Sequence, residues 1–395
     1  MLQPFSFEVK VAKACGIDMH KDKIKACYLG VDTMPIYKDF GTTTRELKSL
    51  CNDLAQNDLG DVVIESTGIY WIPLYDMLTE RNMRVVIANP LRVKQIPGKK
   101  TDTADSEWLC KLLMNGLVSP SFIPDTSLRQ LRQLNRQRYR YTGQLSQVKS
   151  RILKVLETCN FKLRTVLSNI NTKSGRNIVI AIADGVTDME VLKACCLGRA
   201  AKKAEMLPEY LEGHITPYER QLLKMYLKDW DYLDQQVGLL EQTMAAIVSE
   251  HYQDTLNLLM MVPGIGPQGA RTIVAEIGTQ ISCFPSADHF SSWIGLAPGN
   301  RQSANKWYAQ PITKGNKYLR VILIQIAWAA VRSKNGYWAA QFQYLRKRLP
   351  AKKAIVAIAR KMSKLIFKVI TEQYQYEEKG AAFFESQRGK WHPKK

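Results

Sequence analysis

Residues 61–90, DVVIESTGIYWIPLYDMLTERNMRVVIANP, hold two short apolar runs, DVVIES and RVVIANP, on either side of IPLYDMLTERN. Each run is β-branched and apolar without alternation, which is how a strand covered on both faces of a parallel sheet reads. Parallel neighbours need a crossover, and IPLYDMLTERN supplies a helix to make it. An α/β domain follows. Upstream, residues 11–41 alternate short apolar runs with polar residues (VAKACGID, IKACYLG, then a turn at VDTMP), as strands joined by tight turns do. Thr44–Asn57 reads as a helix between the two sets.

Downstream the period changes. Apolar residues at 128, 131, 134, 141, 145, 148, 152 and 155 mark a helix over Ser127–Glu157, with basic residues on its other faces. Ser168–Lys203 reads as irregular. Positions 223, 226, 230, 233, 237, 240, 244 and 247 step alternately by three and four, a heptad seam that fits either a coiled coil or a helix buried in its own domain. An intermolecular seam would make the protein at least a dimer. A region of helices and loops starts at Leu256, its last helix is Lys352–Thr371, and GAAFFESQRGKWHPKK (380–395) reads as a frayed basic tail. The expected domains are 1–125, 126–255, 256–374 and the tail 375–395.

The chain has 395 residues, 46% of them hydrophobic, enough for two or three cores. Its eight cysteines form no C-x-x-C pair and its five histidines lack metal-ligand spacing, which excludes zinc fingers and a disulfide framework and points to a reducing compartment. The first residues lack the apolar core of a signal peptide, and the longest hydrophobic run, Val321–Val331, is far short of the ~20 residues that span a bilayer. A cytoplasmic protein with no membrane partner is expected.

Lys and Arg total 56 against 36 Asp and Glu, a net charge of +20. The excess is local. Between Asp125 and Arg176 there are twelve bases and two acids, and from Arg301 to Thr371 sixteen bases and no acid. These bases are interleaved with Gly, Asn, Gln, Tyr and Trp rather than with bulky membrane anchors, which favours a polynucleotide partner.

Asp18 lies near the end of the first apolar run and Glu65 ends VVIES, where a parallel sheet opens toward its ligand. Asp102 and Asp105, in KKTDTADSEWLCKLL, share one face of a helix start. Each alone reads equally as a turn, cap or first-turn acid. Together, four carboxylates at one sheet end call for hard divalent cations, Mg²⁺ above all, and two such ions can drive phosphoryl transfer. Asp22 and Asp61 are neighbouring acids that end no strand.

LMMVPGIGPQGARTIVAEIG (259–278) reads as helix, tight turn, helix, with Gly264 and Gly266 permitting positive φ and close backbone approach. It is similar to the helix-hairpin-helix element, whose amides grip a phosphate backbone without reading bases. In SSWIGLAPGNRQSANKWYAQPITKGNKYLR (291–320), Ser303 sits in a loop among Arg301, Lys306, Lys314, Lys317 and Arg320. A hydroxyl there can attack a phosphodiester, with those cations stabilising the charge that develops.

In this order, GIDMHK, VVIESTGIYW, KTDTADSEWL, VPGIG-x₆-IVAEIG, GLAPGNRQSANK and TKGNKYLR resemble the "one-ten" family of insertion-sequence transposases, the bridge-RNA-guided recombinases, over residues 12–372. The resemblance implies an RNase H/RuvC-like α/β domain with a DEDD quartet at Asp18, Glu65, Asp102 and Asp105. It further implies a coiled-coil insertion and a mostly α transposase domain whose nucleophile is Ser303. It implies a phosphoserine link to cleaved DNA, Mg²⁺ at the carboxylates of a partner subunit in a dimer or tetramer, and a structured noncoding RNA pairing with donor and target DNA. On that basis Arg129, Arg132, Arg136, Arg138, Arg140, Lys149 and Arg151 are expected to contact the guide RNA, and the hairpin glycines and the Ser303 cations the double-stranded DNA. One departure stands out: Ala304 is followed by Asn305 where the family carries Gly, and Asn tolerates left-handed geometry. Ser291, Ser292 and Thr313 are fallback nucleophiles. The rival readings are a RuvC-like nuclease using activated water and a non-catalytic nucleic-acid-binding protein.

Overall fold

The computed structural model describes residues 10–66, 68–93, 101–118, 120–279, 281–299, 301–303, 306–308 and 311–391, with the side chains of 91, 92, 301–303, 306–308 and 388–391 outside the description. The chain divides into two compact units, 1–123 and 124–395.

The first unit is a five-stranded sheet of β1 (Lys13–Met19), β2 (Ile24–Gly30), β3 (Ile36–Phe40), β4 (Asp61–Glu65) and β5 (Arg84–Ala88), in the order β3-β2-β1-β4-β5. The first three strands form an antiparallel meander, and β1, β4 and β5 run parallel. Helix α1 (Thr44–Gln56) joins β3 to β4 and α2 (Trp71–Thr79) makes the expected β4–β5 crossover. Then come a short turn of helix, α3 (Pro90–Val93), and α4 (Asp102–Met114). Strand alternation sorts the core into two layers. Cys15, Ile17, Met19, Val62 and Ile64 pack under α1 and α2, while Ala14, Val63, Val86 and Ala88 face Leu109, Cys110 and Leu113 of α4. Strand order and layering are those of an RNase H-like domain.

The second unit is helical. Its frame is α5 (Thr126–Thr158), capped by Asp125, whose carboxylate accepts from Leu128 N at 2.8 Å, and α10 (Pro217–His251). Between them lie α6 (Leu163–Val166), α7 (Lys173–Asp184), α8 (Met189–Ala194), a 3₁₀ stretch (Gly198–Met206) and α9 (Leu207–Tyr210), so the segment read as irregular is helical. Leu223, Leu227, Trp230, Leu233, Met244 and Val248 are the buried stripe of α10, which packs on α5 of the same chain. Arg138 pairs with Glu241 at 3.1 Å and Lys149 lies over the Trp230 ring at 4.5 Å, so the two helices run antiparallel. The heptad seam is thus covered in part by α5 of the same chain, with Val237, Leu240 and Ile247 half-buried.

Beyond α10 come α11 (Gln253–Met260), α12 (Pro267–Ile277), α13 (Ala287–Ile294), the hairpin β6 (Arg301–Ser303)/β7 (Lys306–Tyr308), α14 (Lys317–Ala330), α15 (Tyr337–Arg346), α16 (Ala351–Thr371) and α17 (Gly380–Trp391). The tail read as frayed is α17 over 380–391: Ala381 N donates to Asn335 O at 2.8 Å, and Phe383 and Phe384 pack on Tyr337. Its aromatic pair has an apolar partner to cover, which basic composition hid. No helix among the described residues is long and apolar enough to cross a membrane.

Candidate active site: an acidic cluster and a serine hairpin

The acidic cluster is built by register. Gly16 pairs with Val63 and Ile17 with Ile64 in parallel, so Asp18 and Glu65 stand side by side one position further, at the carboxyl ends of β1 and β4. Alternation puts both on the α4 side of the sheet, and both are buried, at 5% and 6% exposure. Helix α4 starts at the same end. Thr101 caps it, its hydroxyl accepting from Ala104 N at 3.2 Å, and Asp102 and Asp105 occupy its first turn, where the helix dipole favours negative charge.

Gly16 sets how near α4 comes. A Cβ there would lie 2.7 Å from Cys110 N and closer still to Ser106 O, and the Cys110 thiol reaches Ala14 O at 3.0 Å. With hydrogen at that position, the helix backbone rests on the strand and carries its acids to the strand end. Burial pushes the Asp18 carboxyl above its ordinary pKa; His20 opposes this, and the charges of Glu65, Asp102 and Asp105 add to it. Of the four predicted carboxylates, Asp18 and Glu65 end neighbouring strands, and Asp102 and Asp105 sit in the first turn of α4.

His20 was not anticipated as a site residue. Its Nε2 lies 3.3 Å from Asp18 Oδ2 and 3.7 Å from Asp102 Oδ1, and the three side chains offer ligand atoms within 4.8 Å of one another. The signal was present in D-M-H, because residues two apart on an extended chain share a face. Of the neighbouring acids, Asp61 is engaged by Arg84 at 2.9 Å.

In the second unit, Ser303 closes β6 and its backbone pairs with Lys306 across the hairpin, while Arg301 pairs with Tyr308. Ala304 and Asn305 lie outside the described residues. Among the other cations, Lys317 lies over the Tyr318 ring at 5.0 Å, Arg320 donates to Thr313 O at 3.4 Å, and Lys314 is exposed. Ser291 is excluded as a nucleophile: it is fully buried, and its hydroxyl bonds Ser363 Oγ at 2.7 Å and Ala287 O at 2.9 Å.

At the turn between α11 and α12, Gly264 has φ +86°, and a Cβ there would lie 2.7 Å from Ala330 N, so this glycine serves close packing on α14. Gly266 is the α12 N-cap with open space where a Cβ would be.

The bases of α5 divide. Arg136 is bonded to the buried Glu276 carboxylate at 2.9 and 3.2 Å, Arg132 donates to Glu276 O, and Arg138 pairs with Glu241. Burial pulls the Arg132 pKa down to about 10, with Glu276 opposing. Arg140 and Arg151 are exposed, and Arg129 and Lys149 half-buried.

Residues 15–161 match a DEDD transposase family model of the IS110 group, and residues 256–343 match the transposase family IS116/IS110/IS902. The putative transposase y4pF/y4sB of Sinorhizobium fredii is 24% identical over 299 residues, 74% of this chain and 68% of that protein. The pilin gene-inverting protein of Moraxella bovis is 32% identical over 130 residues, 31% of this chain and 39% of that one. An insertion element IS110 uncharacterized 43.6 kDa protein of Streptomyces coelicolor is 26% identical over 144 residues, 35% and 34% of the two chains. The matches to these last two thus span little more than a third of each relative.

An RNase H-like sheet with acids gathered at its strand ends, in a chain similar to transposases and a gene-inverting protein, defines a DNA-processing enzyme of the transposase and recombinase class. The chain belongs to the IS110 family of transposases.

Proposed function

We propose that this protein excises and inserts its own insertion sequence, in a Mg²⁺-dependent reaction that passes through a serine–DNA covalent intermediate and is guided by a structured RNA. The observation that carries the proposal is the grouping of Asp18, His20 and Asp102, with the buried Glu65 on the neighbouring strand, at one sheet end. The donor set fits a hard divalent cation: carboxylate oxygens on a buried base, with Asp18 paying for ionisation without one. Mg²⁺ held there would supply Lewis-acid charge to a phosphodiester.

The chain's own residues do the rest. Asp18 and Glu65 are fixed by strands, Asp102 and Asp105 by a capped helix, so the oxygens are preorganised. The Ser303 hydroxyl forms the bond to phosphorus, the bond from phosphorus to the leaving sugar oxygen breaks, the serine proton passes to a base, and the leaving oxygen takes one up. Arg301, Lys306, Lys314, Lys317 and Arg320 offset the charge on the phosphate oxygens. The Gly264–Gly266 turn and the α12 N-terminus hold the double-stranded DNA backbone. On α5 the guide RNA meets Arg129, Arg140, Lys149 and Arg151, whereas Arg132, Arg136 and Arg138 work through acids of the protein. The working form is a dimer or tetramer in which the serine of one subunit serves the acids of another.

The test is a denaturing gel of cleaved DNA with and without protease. Wild type should give protease-sensitive, protein-linked ends in Mg²⁺, and Ser303→Ala should bind DNA yet give none. Free ends from wild type would favour the nuclease that uses water instead, and normal recombination by Ser303→Ala would end the serine assignment. Absence of co-purifying RNA would remove the guide.

A further inference from the structure

Glu276 is a fully buried carboxylate that none of the steps above uses. It stands in the last turn of α12, within IVAEIG, and gathers side chains from three elements. Arg136 and Asn135 of α5 reach it, the latter at 3.3 Å, and Thr272, one turn earlier on α12, braces Asn135 at 3.4 Å. The third partner is Asn316, whose Nδ2 donates to Glu276 Oε2 at 2.8 Å.

Asn316 is used at both ends. Its Oδ1 accepts from Tyr318 N and Leu319 N, each at 3.1 Å, capping α14, and its own N–H donates to Trp293 O at 3.2 Å. Immediately before it the chain runs back along residues 297–299: Thr313 N donates to Ala297 O and Gly299 N to Pro311 O. Those two strips are the root of the β6/β7 hairpin that carries Ser303. Burying a carboxylate with two guanidiniums is a poor way to gain stability, since an apolar cluster of the same shape does as well or better, whereas directional bonds fix one arrangement. The buried charge is thus best explained by what it holds in register.

We propose that Glu276 is a positioning residue for strand cleavage, holding Asn316 and through it the root of the serine hairpin against α5. The inference rests on Ser303 being the nucleophile. The role is indirect, since Glu276 meets no DNA in it.

A charge-conserving swap in the full-length protein with its nucleic acids tests it. Asn316→Asp keeps a good helix cap but sets two carboxylates face to face. Adding Glu276→Gln restores a donor–acceptor pair between the two residues, while Arg136 Nη2 loses the Oε2 acceptor it shares with Asn316. Asn316→Asp should slow adduct formation at saturating DNA by about a hundredfold, the scale of a 1 Å misplacement, with DNA affinity unchanged. The double variant should recover part of the loss, and more than Glu276→Gln alone retains if the Glu276–Asn316 bond is what matters. Wild-type rates in Asn316→Asp overturn the proposal. So does a parallel loss of rate, DNA affinity and melting temperature that the swap fails to restore, the mark of a mere scaffold. Ser303→Ala run alongside separates the two readings: adducts from it refute the nucleophile, while adducts lost there but untouched in Asn316→Asp refute the positioning role alone.

Discussion

Gly16 shows how a single hydrogen atom sets the approach of α4 to the acid-bearing strand end. A methyl group at that position meets Ser106 O and Cys110 N of α4, neither of which can yield as a flexible side chain would. Gly16→Ala should therefore cost about 1–3 kcal/mol in chemical denaturation, as overpacking does, and should weaken divalent-ion binding by lifting Asp102 and Asp105 from Asp18. A variant of full stability and ion affinity would refute the contact. The sequence offered a glycine two residues before an acid, but nothing in it told which of the helices would land there, because the contact joins positions some ninety residues apart. Asp18 makes a second prediction at this scale. Its pKa is raised on folding, so it supports the ion-free fold below the ordinary carboxylate range and withdraws that support as pH rises through the raised value. Mg²⁺ favours the ionised form. The gain in melting temperature on adding Mg²⁺ should thus be small in acid and grow toward neutrality; an equal gain at every pH would contradict the assignment.

Elements were legible where one period ruled. Alternation and β-branched runs marked β1, β4 and β5, and their ends marked Asp18 and Glu65. The apolar stripe from Leu128 to Val155 marked α5 to within a few residues of its ends. Between 168 and 203 the reading failed, because α7 and α8 are short and Ile178, Val179 and Ile182 are β-branched, although Thr172 caps α7 and Gly185 ends it at φ +89°. The α10 seam shares Leu223, Trp230, Leu233 and Met244 with the buried stripe, which takes Leu227 and Val248 in place of Tyr226 and Ile247, and a heptad pattern is silent on whose helix it meets. The answer, α5 of the same chain, makes that helix pair the frame of the second unit. Ile152 is fully buried where α5 meets it, so Ile152→Ala should cost about 2–5 kcal/mol in urea unfolding. A loss under ~1 kcal/mol, below that range, would show the pairing to be loose. The role of Glu276 is not legible in its motif, because its partners on α5 are 140 and 141 positions away.

At the scale of the whole molecule the chemistry is divided. Acids gather in the first unit, and both base-rich segments, 125–176 and 301–371, belong to the second. Composition alone located the basic half of that division, since the two stretches hold 28 bases against 2 acids while the rest of the chain is net negative. Three of the α5 arginines are also engaged by Glu276 and Glu241 inside the protein, which only folded neighbours reveal. The most direct measurement is Mn²⁺ binding followed by the loss of its free electron-spin signal, in wild type and in Asp18→Asn, with DNA cleavage assayed on the same samples. Bound Mn²⁺ and cleavage should disappear together in Asp18→Asn; equal Mn²⁺ binding in both proteins, or cleavage that persists in the variant, would contradict the account.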